Sequence, residues 1–234
     1  MINHIKSIVF SIFFILAGYF VYSHVNIIDI YSLKKIEIRG NKFVNETDIE
    51  TILENYRYKN INTISIKNIQ SDINNHPYIN SNKAFKMLPN RIVVDIKEIV
   101  PIALIEKNEN IYFLDTNLNM IKINNESLNH YSVPIITNKN NQTYDNIGQI
   151  LKLIRYENMF FYNSINEIVI SENITTIKIE KGTKIKIDNS NDLNNTLKLL
   201  SFLETIKNNK EITDYKYVDL TIPQQIIVKE NKKS

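Results

Sequence analysis

One uninterrupted apolar stretch near the amino terminus constrains this chain more than any other feature. Residues 8–28, IVFSIFFILAGYFVYSHVNII, carry no formal charge when His24 is neutral. As an α-helix the stretch spans about 31 Å, close to the thickness of a bilayer core. It exceeds the roughly 7–15 apolar residues of a cleaved signal peptide, and no A-x-A-like cleavage site follows it. The sequence therefore predicts a transmembrane anchor over residues 8–28, after a short N-terminus (1–7) and before a linker (29–32).

The charges that flank this stretch do not decide which side of the membrane the rest of the chain occupies. Lys6 precedes it, whereas Lys34, Lys35 and Arg39 follow it. The positive-inside rule mildly favours a cytoplasmic position for the larger part of the chain. Large domains are nevertheless translocated largely regardless of such charges. Charge alone leaves the topology open.

The composition excludes several classes of protein. The 234 residues include no cysteine, which excludes disulfide frameworks, cysteine-based zinc sites, iron–sulfur clusters and thiol nucleophiles. Four glycines are too few for the phosphate loops of Rossmann and P-loop folds, which need several in one short stretch. The formal net charge of +3 does not indicate the clustered basic face of a nucleic-acid-binding protein. We therefore expect no cofactor, no metal and no nucleic-acid partner.

Hydrophobic periodicity predicts a small α+β unit over residues 33–100. Apolar and polar residues alternate, as in a strand, before Gly40 and again at the end of this unit. Two segments with helix-type spacing lie between these strands. Pro77 disfavours helix in the residue before it, which ends the second helix near His76. The predicted elements are a strand over 34–39, a helix with Asn45 as its N-cap, a second helix from Ser65, and strands over 84–87 and 91–98.

The remainder, residues 101–229, has the pattern of a second unit made mainly of antiparallel strands with helices packed on one face. Its short apolar segments are separated by polar turns rich in asparagine. The predicted strands cover 102–106, 111–114, 120–123, 167–170, 175–180 and 184–187, with an edge or connecting strand over 133–136. The predicted helices cover 147–161 and 192–206, and Leu193, Leu197, Leu200 and Leu203 are expected on one face of the second. Residues 217–229 are predicted as an extended pair interrupted near Pro223.

Two groups of acidic and amide residues match a calcium-loop template in part. Position 6 of that template requires a glycine for a sharp turn, but Met120 and Leu193 occupy it here. Because asparagine is abundant, partial matches are expected by chance. We predict a hairpin turn for the first group and the entry of a helix for the second. The groups are Asp115, Asn117, Asn119 and Glu126, and Asp188, Ser190 and Asp192.

No catalytic constellation is evident in the sequence. His76 and His130 lie outside the anchor, but neither has a nearby Ser-x-Gly elbow or an H-E-x-x-H partner. The aromatic stretch over residues 159–162 fits core packing or a membrane-facing surface better than a binding patch. We expect a protein that is not an enzyme. A membrane-anchored hydrolase, which would pair one of these histidines with a distant carboxylate, stays open as an alternative.

The last predicted strand is a candidate binding element. A chain-terminal strand is often a sheet edge, whose unpaired N–H and C=O groups accept a partner strand. Pro223 and the charges over residues 229–233 are typical guards against indiscriminate pairing at such an edge. The residues alone leave open whether this edge binds a partner or is only protected.

The order and spacing of several segments resemble the bacterial cell-division proteins of the FtsQ/DivIB family. An anchor followed by a β-α-α-β-β order is similar to the POTRA domain of that family, and the second unit is similar to its β domain. The Tyr-Val-Asp-Leu tetrad at 217–220 is the most specific piece. The resembling segments are 36–49, 76–96 and 98–106 in the first unit, and 113–123, 182–187, 191–206 and 217–229 in the second.

The resemblance implies a non-enzymatic scaffold: a membrane anchor, a POTRA domain (33–100), a β domain (101–229) and a short tail (230–234). It further implies an inner-membrane protein at the division septum, with a cytoplasmic N-terminus and periplasmic domains, which recruits FtsB and FtsL by strand addition and meets other division proteins through the POTRA domain. A POTRA-type chaperone of a secretion or outer-membrane assembly system is the alternative. The implied partner-binding residues are Leu199, Leu200, Phe202, Leu203, Glu204, Tyr217, Val218, Asp219, Leu220, Thr221, Ile222, Pro223, Gln224, Gln225 and Ile226.

Overall fold

In a computed structural model, residues 2–27, 29–123, 130–138 and 144–231 are described. The chain divides into two units, Met1–Glu98 and Ile99–Ser234. Ile28 at the end of the predicted anchor, Glu126 of the calcium-loop match, and Lys232 and Lys233 of the predicted guard charges lie outside the described residues.

The apolar stretch forms one continuous helix, α1 (Ile2–Ile27). Its window Lys6–Ser23 has a mean hydropathy of 1.6 and none of it is buried against the rest of the chain. Among the described residues it is the one helix long and apolar enough to cross a membrane. The hydroxyls of Ser11 and Ser23 donate to carbonyls within the same helix, at 3.0 and 2.9 Å, so these polar groups are satisfied internally.

The first unit continues with a three-stranded sheet and two helices, in the predicted order. The central strand pairs in parallel with the first strand and antiparallel with the second. Apolar side chains of the helices and of the inner sheet face, among them Ile49, Ile73 and Val94, are fully buried. The elements are β1 (Lys35–Arg39), α2 (Glu46–Leu53), α3 (Ile66–Asn74), β2 (Ile79–Met87) and β3 (Arg91–Glu98).

Two details of this unit differ from the prediction. Strand β2 begins at Ile79 and not at residue 84, because pairing with β3 extends over a polar segment that has no alternating pattern. Asn45 precedes α2, but its side chain makes no capping bond, whereas the Ser65 hydroxyl accepts the Asn68 amide at 3.4 Å.

The second unit contains a nine-stranded sheet in the order β12-β11-β10-β9-β8-β7-β4-β5-β6. Five of its neighbouring pairs are antiparallel and three are parallel, so the sheet is mainly antiparallel, as predicted. The strands are β4 (Pro101–Lys107), β5 (Asn110–Asp115), β6 (Met120–Lys122), β7 (Ile135–Asn138), β8 (Ile165–Ile170), β9 (Ile174–Ile179), β10 (Lys184–Asp188), β11 (Tyr215–Asp219) and β12 (Ile227–Glu230).

Strand β7 corrects the prediction of an edge or connecting strand over residues 133–136. It lies inside the sheet and pairs in parallel with both β4 and β8. Pro134, which lacks a donor, precedes the strand, and its carbonyl accepts the Leu104 amide at 2.8 Å. The proline therefore marks the start of an inner strand, where no ladder donor is lost.

Three helices accompany this sheet: α4 (Asp145–Glu157), α5 (Met159–Ser164) and α6 (Asp192–Ile206). The single helix predicted over 147–161 is broken at Asn158, whose side-chain oxygen accepts the Phe161 amide at 2.9 Å and starts α5. Phe161 and Tyr162 lie in the core, whereas Phe160 is 85% exposed. Helix α4 packs on β4, α6 packs on β10, and the two helices contact each other.

The buried face of α6 differs from the predicted one. Leu199, Leu203 and Thr196 are buried, whereas Leu193 and Leu197 are exposed. The helix is therefore rotated relative to the predicted stripe, with Leu203 shared by both faces. Asn195 also lies on the buried side, where its amide nitrogen donates to a backbone carbonyl at the end of β10 at 3.2 Å.

Asp115 belongs to a hairpin turn, as predicted. Its buried carboxylate accepts the backbone amides of Asn117 and Asn119, both at 2.8 Å, in the turn between β5 and β6. One carboxylate oxygen is thus committed to main-chain donors. Ser190 in the second group likewise donates its amide to Asp188 at 2.9 Å, at the entry of α6.

Candidate functional site

The candidate site is the hairpin that ends the large sheet. Its inner arm, β11, pairs in parallel with β10 on one side and antiparallel with β12 on the other. Val218 stands opposite Val228, and Asp219 stands opposite Ile227. The Leu220 amide donates to the Lys186 carbonyl at 2.9 Å and continues the inner pairing past the end of β11.

The turn between the two arms is held by specific polar contacts. The Asp219 carboxylate accepts both the backbone amide and the hydroxyl of Thr221, at 3.0 and 2.6 Å. Lys198 of α6 donates its ammonium to the Ile222 carbonyl at 3.0 Å. Gln224 has a φ of 60°, a left-handed conformation that reverses the chain. These contacts fix the point at which the outer arm begins.

The far end of the hairpin is also fixed. The side chains of Lys210 and Glu230 form an ion pair, and the hydrogen bond with Glu230 raises the pKa of Lys210. The Lys210 ammonium lies 5.6 Å from the centre of the Tyr215 ring. The backbone amide of Asn231 donates to the Asp214 carbonyl at 2.8 Å. The outer arm is thus tied to the unit at both ends.

Strand β12 is one edge of the sheet, and β6 stands at the other end of the strand order. In the described parts of the chain, no strand pairs with its outer side. The side chains of Ile227 and Val228 are 39% and 38% exposed, and Lys229 and Glu230 are also exposed. Outward N–H and C=O groups of such a strand can pair with an added strand.

The binding residues that the resemblance implies over 217–226 do not form the edge of the sheet. Tyr217, Val218 and Asp219 lie in β11, which has a neighbouring strand on each side and therefore no free ladder groups to offer. Residues 221–226 belong to the turn and its exit. The edge is the second arm of the predicted extended pair.

The residues implied by the resemblance fall into three groups by burial. Four lie in the core, where contact with a partner would require local unfolding. The buried group is Leu199, Leu203, Val218 and Leu220; the half-buried group is Leu200, Phe202, Tyr217, Asp219, Thr221 and Ile226; the exposed group is Glu204, Ile222, Pro223, Gln224 and Gln225.

One flank of α6 faces the hairpin. The Phe202 ring lies 5.7 Å from the Tyr215 ring, and Lys198 reaches the turn as described above. At about 100° per residue, Leu200 and Glu204 lie more than 100° around the helix from Lys198. They therefore do not belong to the surface that adjoins the hairpin.

The sequence predicts residues 217–229 as an extended pair and the charges over 229–233 as guards of its edge. The implied partner-binding residues nevertheless end at Ile226 and omit Ile227, Val228, Lys229 and Glu230. A signal for them exists in the run Ile226–Ile227–Val228, which is β-branched and follows a turn-like segment with Pro223. A turn inside the extended pair makes the second arm, and not the first, the terminal strand.

Two family models match the chain in succession. A model described as "POTRA domain, FtsQ-type" covers residues 31–99, and one described as "FtsQ/DivIB, C-terminal related" covers residues 100–229. Together they cover residues 31–229, which follow α1.

Named relatives agree with these models. The cell division protein DivIB of Clostridium tetani is 32% identical over 90 residues, which cover 37% of this chain and only 33% of that relative. DivIB of Clostridium acetobutylicum is 24% identical over 206 residues, covering 82% of this chain and 80% of the relative. FtsQ of Syntrophotalea carbinolica is 21% identical over 215 residues, covering 86% and 74%.

Among solved structures, the major extracytoplasmic domain of DivIB from Geobacillus stearothermophilus aligns with a TM-score of 0.33 and 11% identity, over 49% of this chain and 99% of that one. The family model over residues 100–229 alone covers more than half of the 234 residues. The chain therefore belongs to the FtsQ/DivIB family of bacterial cell-division proteins.

Proposed function

We propose that this protein is a single-pass, non-enzymatic scaffold of the division machinery. Helix α1 crosses the cytoplasmic membrane, the N-terminus is cytoplasmic, and the POTRA domain and the β domain lie outside the membrane at the division septum. Family membership and the exposed apolar helix support this arrangement. The scaffold recruits FtsB together with FtsL, and other division proteins meet the POTRA domain.

The partner strand adds to the outer side of β12. The observation that carries this proposal is the position of that strand at one end of the sheet order, with the side chains of Ile227 and Val228 exposed. Main-chain hydrogen bonds supply affinity in strand addition, and neighbouring side chains supply selectivity. The adjoining flank of α6, with Lys198 and Phe202, is the nearest source of such side chains.

We do not favour the alternative of a POTRA-type chaperone. That function predicts several POTRA repeats or a following barrel. The matched regions instead contain one POTRA model followed directly by the FtsQ/DivIB C-terminal model.

Proline substitutions in β12 test the docking mode. Successive backbone amides of a strand point to opposite sides, so one of Ile227→Pro and Val228→Pro removes an outward amide and the other removes an amide that faces β11. The outward variant is expected to stay folded and to bind an FtsB-like partner roughly tenfold more weakly, since one main-chain hydrogen bond is lost. Binding is measured with the full chain in detergent.

Two glutamate variants provide a matched pair. Ile227→Glu places a charge on the edge, whereas Ile111→Glu places the same charge at an exposed isoleucine of β5, which has a neighbouring strand on each side. Only the first is expected to weaken binding. Unchanged affinity for Ile227→Glu and for both folded proline variants refutes docking at this edge.

Fusion reporters test the topology. An enzyme that is active only outside the cytoplasm, fused after Ser234, is expected to be active. Activity only of a cytoplasm-specific reporter at the same position contradicts the proposed orientation.

A further inference from the structure

The segment that follows α1 is joined to a distant loop of the first unit. The Tyr58 amide donates to the Leu33 carbonyl at 3.0 Å, and the Leu33 amide donates to the Lys59 carbonyl at 2.9 Å. The Ser32 hydroxyl donates to the Tyr58 carbonyl at 3.0 Å, and Ser32 forms an antiparallel bridge with Asn60. Ser32 and Leu33 are buried beneath this contact. The loop over residues 56–61, called the juxtamembrane loop below, is therefore fixed to the chain just after α1.

The juxtamembrane loop presents an aromatic side chain to solvent. Tyr58 has a φ of 62°, a left-handed conformation uncommon for a bulky residue, and its side chain is 74% exposed. Ile30, on the segment that leads into the contact, is 41% exposed. Lys59 is exposed and its ammonium lies 5.8 Å from the centre of the Tyr56 ring. An apolar side chain, an aromatic ring with a hydroxyl and a cation are thus exposed within two residues of one backbone contact.

Chain length keeps this surface near the end of α1. Five residues separate Ile27 from Leu33. The six residue-to-residue steps between them can span at most about 21 Å even when fully extended. Helix α1 has 26 residues and is about 39 Å long, more than the roughly 30 Å hydrocarbon core. Its ends therefore reach into the headgroup layers, and the juxtamembrane loop is held within a short distance of one of them.

We propose that the juxtamembrane loop docks on the membrane that α1 spans, with the Tyr58 ring seated in the headgroup layer beside Ile30. Tyrosine favours this layer because its ring is apolar and its hydroxyl stays hydrated. Lys59 is placed to meet lipid phosphates while its stem lies along the surface. The contact fixes the height of the POTRA domain above the membrane. This docking rests on the proposed insertion of α1 into the membrane.

The absence of tryptophan from the sequence allows a direct test. The variant Tyr58→Trp gives the full chain a single indole in the juxtamembrane loop. The variant Tyr156→Trp, at a tyrosine that is 87% exposed on α4 of the other unit, is the matched control. Each variant is reconstituted into phosphatidylcholine–phosphatidylglycerol vesicles that carry a nitroxide at the headgroup of some lipids. We expect blue-shifted emission and a loss of intensity for the indole of Tyr58→Trp, and neither change for the indole of Tyr156→Trp.

Flotation of the vesicles and resistance to alkaline extraction report insertion of α1 separately. If the protein is inserted but the indole of Tyr58→Trp is as open to aqueous iodide as that of Tyr156→Trp, the docking is overturned and the anchor is left intact. Failure to float overturns the anchor, and the docking with it.

Hydrogen exchange provides a second readout that does not depend on the tryptophan variant. In the unmodified chain, amides of residues 57–61 are expected to exchange more slowly in vesicles than in detergent. Tyr58→Asn keeps a residue that tolerates the left-handed backbone but removes the ring, and it is expected to abolish this difference. Equal exchange in vesicles and detergent for the unmodified chain contradicts the proposal.

Discussion

Glu98 offers the sharpest test of how the first unit is held together. Its carboxylate, at the end of β3, accepts the backbone amides of Lys42 at 2.7 Å, Phe43 at 3.0 Å and Val44 at 2.9 Å. Glu98 is 9% exposed. One buried anion thus satisfies three consecutive donors of the loop between β1 and α2. Replacement by alanine removes the acceptor from all three.

The expected cost follows from the exposure of the three donors. Hydrogen bonds to charged groups contribute about 1.5–3 kcal/mol, and a buried donor without a partner costs about 1–3 kcal/mol. Val44 is buried, whereas the side chains of Lys42 and Phe43 are exposed, so water can reach the loop there. Glu98→Ala is therefore expected to lower the free energy of unfolding of the first unit by about 2–4 kcal/mol. For a unit of this size that corresponds to a fall in Tm of roughly 10–25 °C.

Thermal unfolding of the full chain in detergent measures this change, and amide exchange at residues 42–44 locates it. The matched control is Lys97→Ala, one residue earlier on the same strand and exposed, which is expected to change stability by less than about 0.5 kcal/mol. Glu98→Gln retains one neutral acceptor, so its Tm should lie between those of Glu98→Ala and Lys97→Ala. If Glu98→Ala has the same Tm as Lys97→Ala and the amides of residues 42–44 stay protected from exchange, the carboxylate does not hold the loop.

Three further predictions concern the same unit. Burial lowers the pKa of His76 below its ordinary value of 6.5. The contribution of the neutral imidazole to stability is therefore fully present above pH 6.5 and is lost as the pH falls through the lowered pKa. His76→Gln should flatten this decrease in Tm when melting is measured as a function of pH. Burial and the hydrogen bond to Asp72 raise the pKa of Tyr56 to about 12, so stability is lost as the pH rises from 10 towards 12; Tyr56→Phe should remove that loss in alkaline titrations. Gly40→Ala should destabilise by more than about 1 kcal/mol in urea unfolding, because φ is +84° and the added Cβ meets a carbonyl oxygen at 2.3 Å.

The elements that the sequence predicted well carry strong local signals. Strand β3 has the alternating segment RIVVDIKE, and both of its predicted ends agree with the structure. Helix α3 begins where Ser65 provides a cap and ends before Pro77. By contrast, the polar start of β2 forms a strand only because β3 supplies its hydrogen-bond partners. No local pattern in that segment indicates pairing with a strand that comes later in the chain.

The position of the candidate site in the sheet could not be predicted from local sequence, because it depends on pairing between strands that are distant in the chain. Whether β11 is an edge or an inner strand is decided by its parallel pairing with β10, which is separated from it by the whole of α6. The face of α6 was ambiguous for a related reason. Leucines at 193, 197, 200 and 203 form a regular stripe, but the core instead contains Leu199 beside the polar Asn195 and Thr196. A buried asparagine satisfied by a backbone carbonyl is visible only once β10 is in place.

The form of the edge has a consequence for how a partner could be selected. Strand β12 has four residues, of which the last two, Lys229 and Glu230, are charged. Glu230 is tied to the unit through its ion pair with Lys210. Short, charged edges resist indiscriminate pairing. Within this strand only Ile227 and Val228 have uncharged side chains, and only one of the two directs its backbone amide outward. That provides too few main-chain bonds to distinguish one extended segment from another. Under the proposed function, selectivity must then come from side chains beside the edge. On the adjoining flank of α6, Lys198 reaches the turn and Phe202 lies against Tyr215 at the other end of the hairpin. Substitutions of these two residues should therefore change which partner binds more than they change how the strand pairs.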